Sequence, residues 1–91
     1  MDIRVEVQPS TEHLHQLLIY ADGQLIGEYE RAVAGQVDRK IQEVERAKHF
    51  LLGTFEKHGY FTVRWDDHTQ AKSVRVEGTE VARIPEDLWR A

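Results

Sequence analysis

Leu17-Leu18-Ile19-Tyr20-Ala21-Asp22-Gly23-Gln24-Leu25-Ile26-Gly27-Glu28-Tyr29 is the stretch whose reading decides the fold. Two apolar runs flank Asp22-Gly23. Asp-Gly suits a two-residue type I′ turn, which needs positive φ at both central positions and matches the twist of the strands it joins. The stretch, with its lead-in from Leu14, therefore reads as a β-hairpin. Pairing through that turn places Leu18, Tyr20, Leu25 and Tyr29 on one face. Leu17, Ile19, Ala21 and Ile26 fall on the other. Both faces are apolar, whereas a two-layer domain buries only one face of an antiparallel sheet.

Upstream, Ile3, Val5 and Val7 alternate with Arg4, Glu6 and Gln8, the period of a strand with one buried face. Pro9-Ser10-Thr11 ends it. Downstream, Val37, Ile41, Val44, Leu51 and Phe55 recur at helical steps. They predict one long helix over about 36–58, closed by Gly59 as a left-handed C-terminal glycine. Lys48 falls inside that apolar stripe. Phe50 points to the opposite side, among Arg39, Glu43, Arg46, Gly53 and Lys57. Arg39 and Glu43 stand four apart, the spacing of an exposed ion pair.

After Gly59 the two-residue period returns. Phe61, Val63 and Trp65 face one way; Tyr60, Thr62 and Arg64 face the other. Asp66-Asp67-His68-Thr69-Gln70 is a polar loop. Val74 and Val76 alternate with Lys72, Ser73, Arg75 and Glu77. Gly78-Thr79 is a candidate type II′ turn into Val81-Ala82-Arg83-Ile84. Pro85 stops that strand, and residues 85–90 form a last short turn with Leu88 and Trp89 packing back.

The predicted fold class is α+β: an antiparallel β-sheet of five to six strands, with one long central helix packed across it, in the order βββ-α-ββ(β). Residues 1–91 are read as a single domain, which at this length buries one thin core. The order in which the two strand groups join is left open by the sequence.

Composition narrows the function classes. The chain has no cysteine, which excludes disulfides and thiolate chemistry. The N-terminal alternation carries no apolar run, so neither a signal peptide nor a membrane anchor is expected, and the expected compartment is the cytoplasm. Net charge is −4. Residues 1–34 hold six acids and two bases, residues 35–59 four acids and five bases, and residues 60–91 six acids and five bases. The helical segment is thus the least acidic part.

Catalytic and metal signatures are thin. His13 and His15 share one face of a strand, and Asp66, Asp67 and His68 share a loop, yet neither set has the remaining ligands of a zinc or EF-hand site. Asp66 reads more simply as a turn initiator. Ser10 and Ser73 lack a nucleophile context, no glycine cluster resembles a phosphate loop, and Lys48 lacks companions for carbonyl chemistry. No catalytic residue, cofactor or metal is assigned.

The expected function is a small non-enzymatic protein-interaction module that self-associates as a homodimer or docks on another protein. Its interaction candidates are Arg39, Arg46, Phe50, Lys57, Tyr20 and Tyr29. Apolar burial would drive docking, and the cations would set the register. Nucleic-acid binding, or service to a nucleic-acid machine (a phage-type inhibitor included), is an alternative. It would use Arg39, Lys40, Arg46 and Lys57 along the helix and Arg64 beside Tyr60. A small His/Asp metal enzyme is the third reading.

Overall fold

The computed structural model describes residues 2–9 and 13–90. Six strands form one sheet in chain order: β1 Ile3–Pro9, β2 Leu14–Ala21, β3 Gln24–Val33, β4 Phe61–Asp66, β5 Ala71–Val76 and β6 Thr79–Arg83. Between β3 and β4 the chain crosses over through α1 Val37–Arg46 and α2 Lys48–His58. Single 3-10 turns precede α1 at Ala34–Gln36 and follow β6 at Glu86–Leu88. Ser10 and Thr11, expected to end the first strand, lie outside the described residues.

The α+β class and the element order agree with the sequence reading. The sheet, however, is mixed. β1–β2, β2–β3, β4–β5 and β5–β6 are antiparallel, but β3 and β4 run parallel, with Gly27 opposite Phe61 and Tyr29 opposite Val63. A helical crossover between neighbouring strands returns the chain to its starting end, so the strands it joins are parallel. This central pairing uses Gly27 as a close-approach site. A Cβ there would stand 2.7 Å from the Phe61 ring and from its carbonyl oxygen.

The predicted long helix is two. Ala47 leaves helical geometry at φ −89° and ψ 11°. Hydrogen bonding still runs through the junction, since Ala47 N–H donates to Glu43 O at 3.0 Å and Leu51 N–H to Ala47 O at 2.9 Å. Buried on this pair are Lys40, Glu43, Val44, Ala47, Leu51 and Thr54. Their centre lies about 65° around the axis from the stripe read off the sequence, at roughly 100° per residue. Ala47 and Thr54 are small enough to lie close on the sheet, and they carry the true seam. The same rotation leaves Lys48 half-buried on a flank and brings Phe50 half-buried against the core.

The hairpin turn forms as expected, with φ of 49° at Asp22 and 81° at Gly23. The β5–β6 turn is Glu77-Gly78 rather than Gly78-Thr79. Both residues have positive φ (52° and 81°), which is type I′ chemistry one residue earlier. Gly59 caps α2 at φ 86° and ψ −156°, an extended positive-φ region open essentially to glycine alone, rather than the left-handed helical one.

A bulge decides which face of the hairpin is buried. Ile19 pairs with Gly27 and Tyr20 with Leu25, so Ile26 is an extra residue on β3. The parity of β3 changes there. Ile26 and Tyr29 both turn toward the helices and join Leu17, Ile19 and Ala21 in the core. Tyr29, expected with Leu18 and Tyr20, is only 1% exposed. The open face keeps Leu18, Tyr20, Leu25 and Tyr60 among polar neighbours. Arg4 stacks 4.8 Å over Tyr20, and Glu28 accepts hydrogen bonds from Gln16 and Thr62.

Candidate functional site

The two-residue period of β5 puts Lys72 on the same face as Val74 and Val76, under the helices. The helical spacing of α1 turns Lys40 and Glu43 toward that point, and the bulge on β3 brings Tyr29 beneath them. Three polar side chains and one phenol thus meet inside the core. The Tyr29 hydroxyl donates to Glu43 Oε2 at 2.6 Å, and Lys72 Nζ stands 3.4 Å from the same oxygen.

Lys72 sits among three rings, its Nζ 5.1 Å from the centroid of Tyr29, 5.7 Å from Trp65 and 5.5 Å from Trp89. The faces of these rings are negative, so they partly replace the water an ammonium loses on burial. Lys40 Nζ lies 4.6 Å over the Tyr29 ring. It is 9% exposed, and no carboxylate of the described residues forms an ion pair with it. Burial, and then the nearby Lys72 ammonium, lower its pKa from the ordinary lysine value, while Glu43 and Glu30 pull the other way. Burial and the Glu43 carboxylate hold the Tyr29 hydroxyl protonated far above the ordinary phenol range.

Over this cluster opens a pocket of about 660 Å³. Gln36, Arg39, Lys40, Gln42, Glu43 and Arg46 line it from the helical side. Trp65, Lys72, Trp89 and Arg90 line it from the sheet and the C-terminal turn. Trp65 and Trp89 meet edge to face, with centroids 5.6 Å apart at 84°. Arg90 lies 4.6 Å over Trp89 and pairs with Glu86. Trp65 Nε1 donates to Asp67 at 2.7 Å, whereas the buried Nε1 of Trp89 finds no acceptor among the described residues.

The electrostatics of the pocket are opposite to those of the chain. Five bases and one acid line it, and with Arg90 already paired to Glu86 three positive charges are left over. The whole chain is −4, so the remaining seven bases face fifteen acids. The one acid is already engaged by Tyr29 and Lys72. The expected Arg39–Glu43 surface pair does not form, because Glu43 is buried on the sheet side, and Arg39 faces the pocket without it.

The sequence-derived candidates separate. Arg39 and Arg46 line this pocket. Phe50 and Lys57 line a second groove of about 360 Å³, with His49, His58, Val81 and Ala82. Tyr20 lies half-buried on the open sheet face, and Tyr29 lies in the core. Lys72, Trp65, Trp89 and Arg90 were not singled out as site residues. The parity of Lys72 with Val74 and Val76 was the available signal, since a lysine in a core register needs a partner.

The metal candidates stand apart. His13 precedes β2 and His15 lies within it, while Asp66, Asp67 and His68 stand at the β4–β5 turn. Asp66 Oδ1 accepts from the His68 N–H at 2.9 Å and from the Thr69 N–H at 3.4 Å. The His68 hydrogen bond is the main reason the Asp66 carboxyl titrates below the ordinary aspartate range. Among the described residues no group of three or more histidine and carboxylate side chains gathers around a point. No helix among them is long and apolar enough to cross a membrane.

Comparison with family models, with curated proteins and with solved structures returns no match.

Proposed function

We propose that this chain is a binding module that acts by docking rather than by catalysis, and that its docking site is the cationic pocket between α1, β5 and the C-terminal turn. The occupant is an acidic segment of a partner protein. One observation carries the reading: three uncompensated positive charges surround a pocket in a chain whose remainder is strongly negative. Concentrated charge of that kind steers an oppositely charged partner and excludes like-charged ones. Arg39 and Arg46 are seven residues apart, two helical turns on one side of α1. They are separated by about 10 Å along the axis, which three residues of extended chain span.

A labelled Glu/Asp-rich peptide titrated at low salt tests this by fluorescence polarisation. Saturable binding is expected, weakening steeply as salt rises. R39E/R46E should abolish it and K57E should leave it in place. Equal affinity for wild type and R39E/R46E would refute the reading.

A second reading rests on the two indoles beside these cations, which together resemble a stacking surface for single-stranded nucleic acid. A labelled oligonucleotide in the same assay decides between them. It would have to bind more tightly than the peptide and be displaced from this pocket by R39E/R46E.

A further inference from the structure

We infer that the acidic segment carries a phosphorylated aromatic side chain, of the phosphotyrosine class, and that its phosphate is held at the paired ammoniums of Lys40 and Lys72. This rests on the docking reading above and names its ligand.

Both ammoniums lie against the Tyr29 ring, 4.6 and 5.1 Å from its centroid, close enough for the Lys72 charge to lower the Lys40 pKa. Lys72 pairs with one Glu43 carboxylate oxygen, which also accepts the Tyr29 hydroxyl. Lys40 is left without a carboxylate at ion-pair distance among the described residues. An ammonium so placed, nine-tenths buried and opening into a pocket, is a vacant half of an ion pair.

A carboxylate supplies one charge and two oxygens. A phosphate monoester at neutral pH supplies close to two charges and three acceptor oxygens. Both ammoniums line the pocket with the amides of Gln36 and Gln42. Three acceptor oxygens can engage both ammoniums and an amide at once, which the two oxygens of a carboxylate do less completely.

The pocket, at about 660 Å³, is also far larger than a bare phosphate requires, and two of its walls are indoles. A phosphate carried on an aromatic ring fills the remaining space and places that ring beside Trp65 and Trp89, where ring contacts are favourable. Arg39 and Arg46, farther out along α1, meet acidic residues flanking the phosphorylated position.

The chain has only two tryptophans, and both line the pocket. Intrinsic fluorescence therefore reads occupancy directly. The full chain and K40M are titrated with a tyrosine-containing acidic peptide, its phosphotyrosyl form and adenosine monophosphate, with inorganic phosphate as competitor. In wild type the phosphopeptide is expected to bind about tenfold tighter than its unmodified form or better, the effect of a charge-assisted contact. Inorganic phosphate should compete. K40M, which replaces a buried amine by an apolar chain of similar length, should fold and bind the unmodified peptide somewhat more weakly, having lost one of the pocket's cations, but bind both peptides with nearly equal affinity, the phosphate preference being lost.

Equal affinity of the two peptides overturns the phosphate assignment while leaving acidic docking intact. Binding of neither peptide overturns both. A phosphate preference that survives in K40M removes the lysine pair as its seat. Adenosine monophosphate binding as tightly as the phosphopeptide would make this a nucleotide site and overturn the peptide assignment.

Discussion

Glu43→Gln tests whether the buried cluster is organised around one negative charge. The substitution keeps the shape of the side chain and leaves an oxygen for the Tyr29 hydroxyl, now at 2.6 Å. Among the described residues it removes the only carboxylate paired with Lys72, at 3.4 Å, and leaves the Lys40 and Lys72 ammoniums over one Tyr29 ring without it. Breaking one side of a buried ion pair costs about 3–5 kcal/mol. With the hydrogen bond retained, the lower end, about 3 kcal/mol, is expected. A domain of this size has a total stability of about 5–14 kcal/mol. The midpoint of thermal unfolding should therefore fall by roughly 12–24 °C. Urea and thermal unfolding measure both quantities. E43Q/K72M, which removes the stranded cation as well, should recover most of the loss, because apolar replacement of a whole buried pair is close to neutral. A loss under about 1 kcal/mol in E43Q, or a double variant no better than the single, would refute the reasoning.

Other perturbations follow from the same packing. Gly27→Ala forces a methyl to 2.7 Å from the Phe61 carbonyl oxygen, on backbone that cannot rotate away, so a loss of about 3 kcal/mol is expected in urea unfolding; a neutral result would mean that β3 and β4 do not approach as described. Gly59→Ala, at φ 86° and ψ −156°, should cost about 1–3 kcal/mol, whereas an equal change at Gly53, inside α2 with open space around it, should stabilise by up to about 1 kcal/mol. The lowered pKa of Lys40 has a definite sign. Its neighbours are Lys72, Glu43, Glu30 and Tyr29, and the folded chain releases the Lys40 proton before the unfolded chain does, whose value is 10.5. Between the folded value and 10.5 the unfolded state binds more protons, so the stability of wild type relative to K40M should climb with pH in that window. A flat difference in the urea midpoint across the window would contradict the burial of a charged Lys40. Light scattering across a concentration series reports on self-association through Leu25 and Tyr60, which are 39% and 43% exposed on the open sheet face. If that patch mediates a homodimer, Y60E should dissociate it.

Much of the fold is legible where a local rule suffices. Asp22-Gly23 declares its turn because few other residue pairs accept two positive φ angles in succession. Gly59 declares a helix end, and the two-residue period marks Ile3–Val7 and Phe61–Trp65 as strands. What escapes the sequence is non-local. The bulge at Ile26 is one residue of register, invisible in composition, yet it moves Tyr29 from the open face to the core. The buried helix face escapes the sequence because a seam built on Ala47 and Thr54, flanked by Lys40 and Glu43, looks polar by residue type. Its charges become reasonable only once Tyr29 and Lys72 arrive from the sheet. Arg39 and Arg46 were found as helix cations. That they face two tryptophans and Arg90 depends on how the C-terminal turn folds back, which no periodicity encodes.

The cationic pocket as a binding site is most directly tested by a 15N-correlated NMR titration of the full chain with an acidic phosphotyrosyl peptide. Two tryptophans give two indole N–H signals, from Trp65 and Trp89, well apart from the backbone. Both are expected to shift in a saturable manner with the amides of α1 around Arg39 and Arg46, while Tyr20, Leu25 and Tyr60 on the opposite sheet face stay still. Indole signals that do not move at saturating peptide, or shifts confined to the open sheet face, would contradict that assignment.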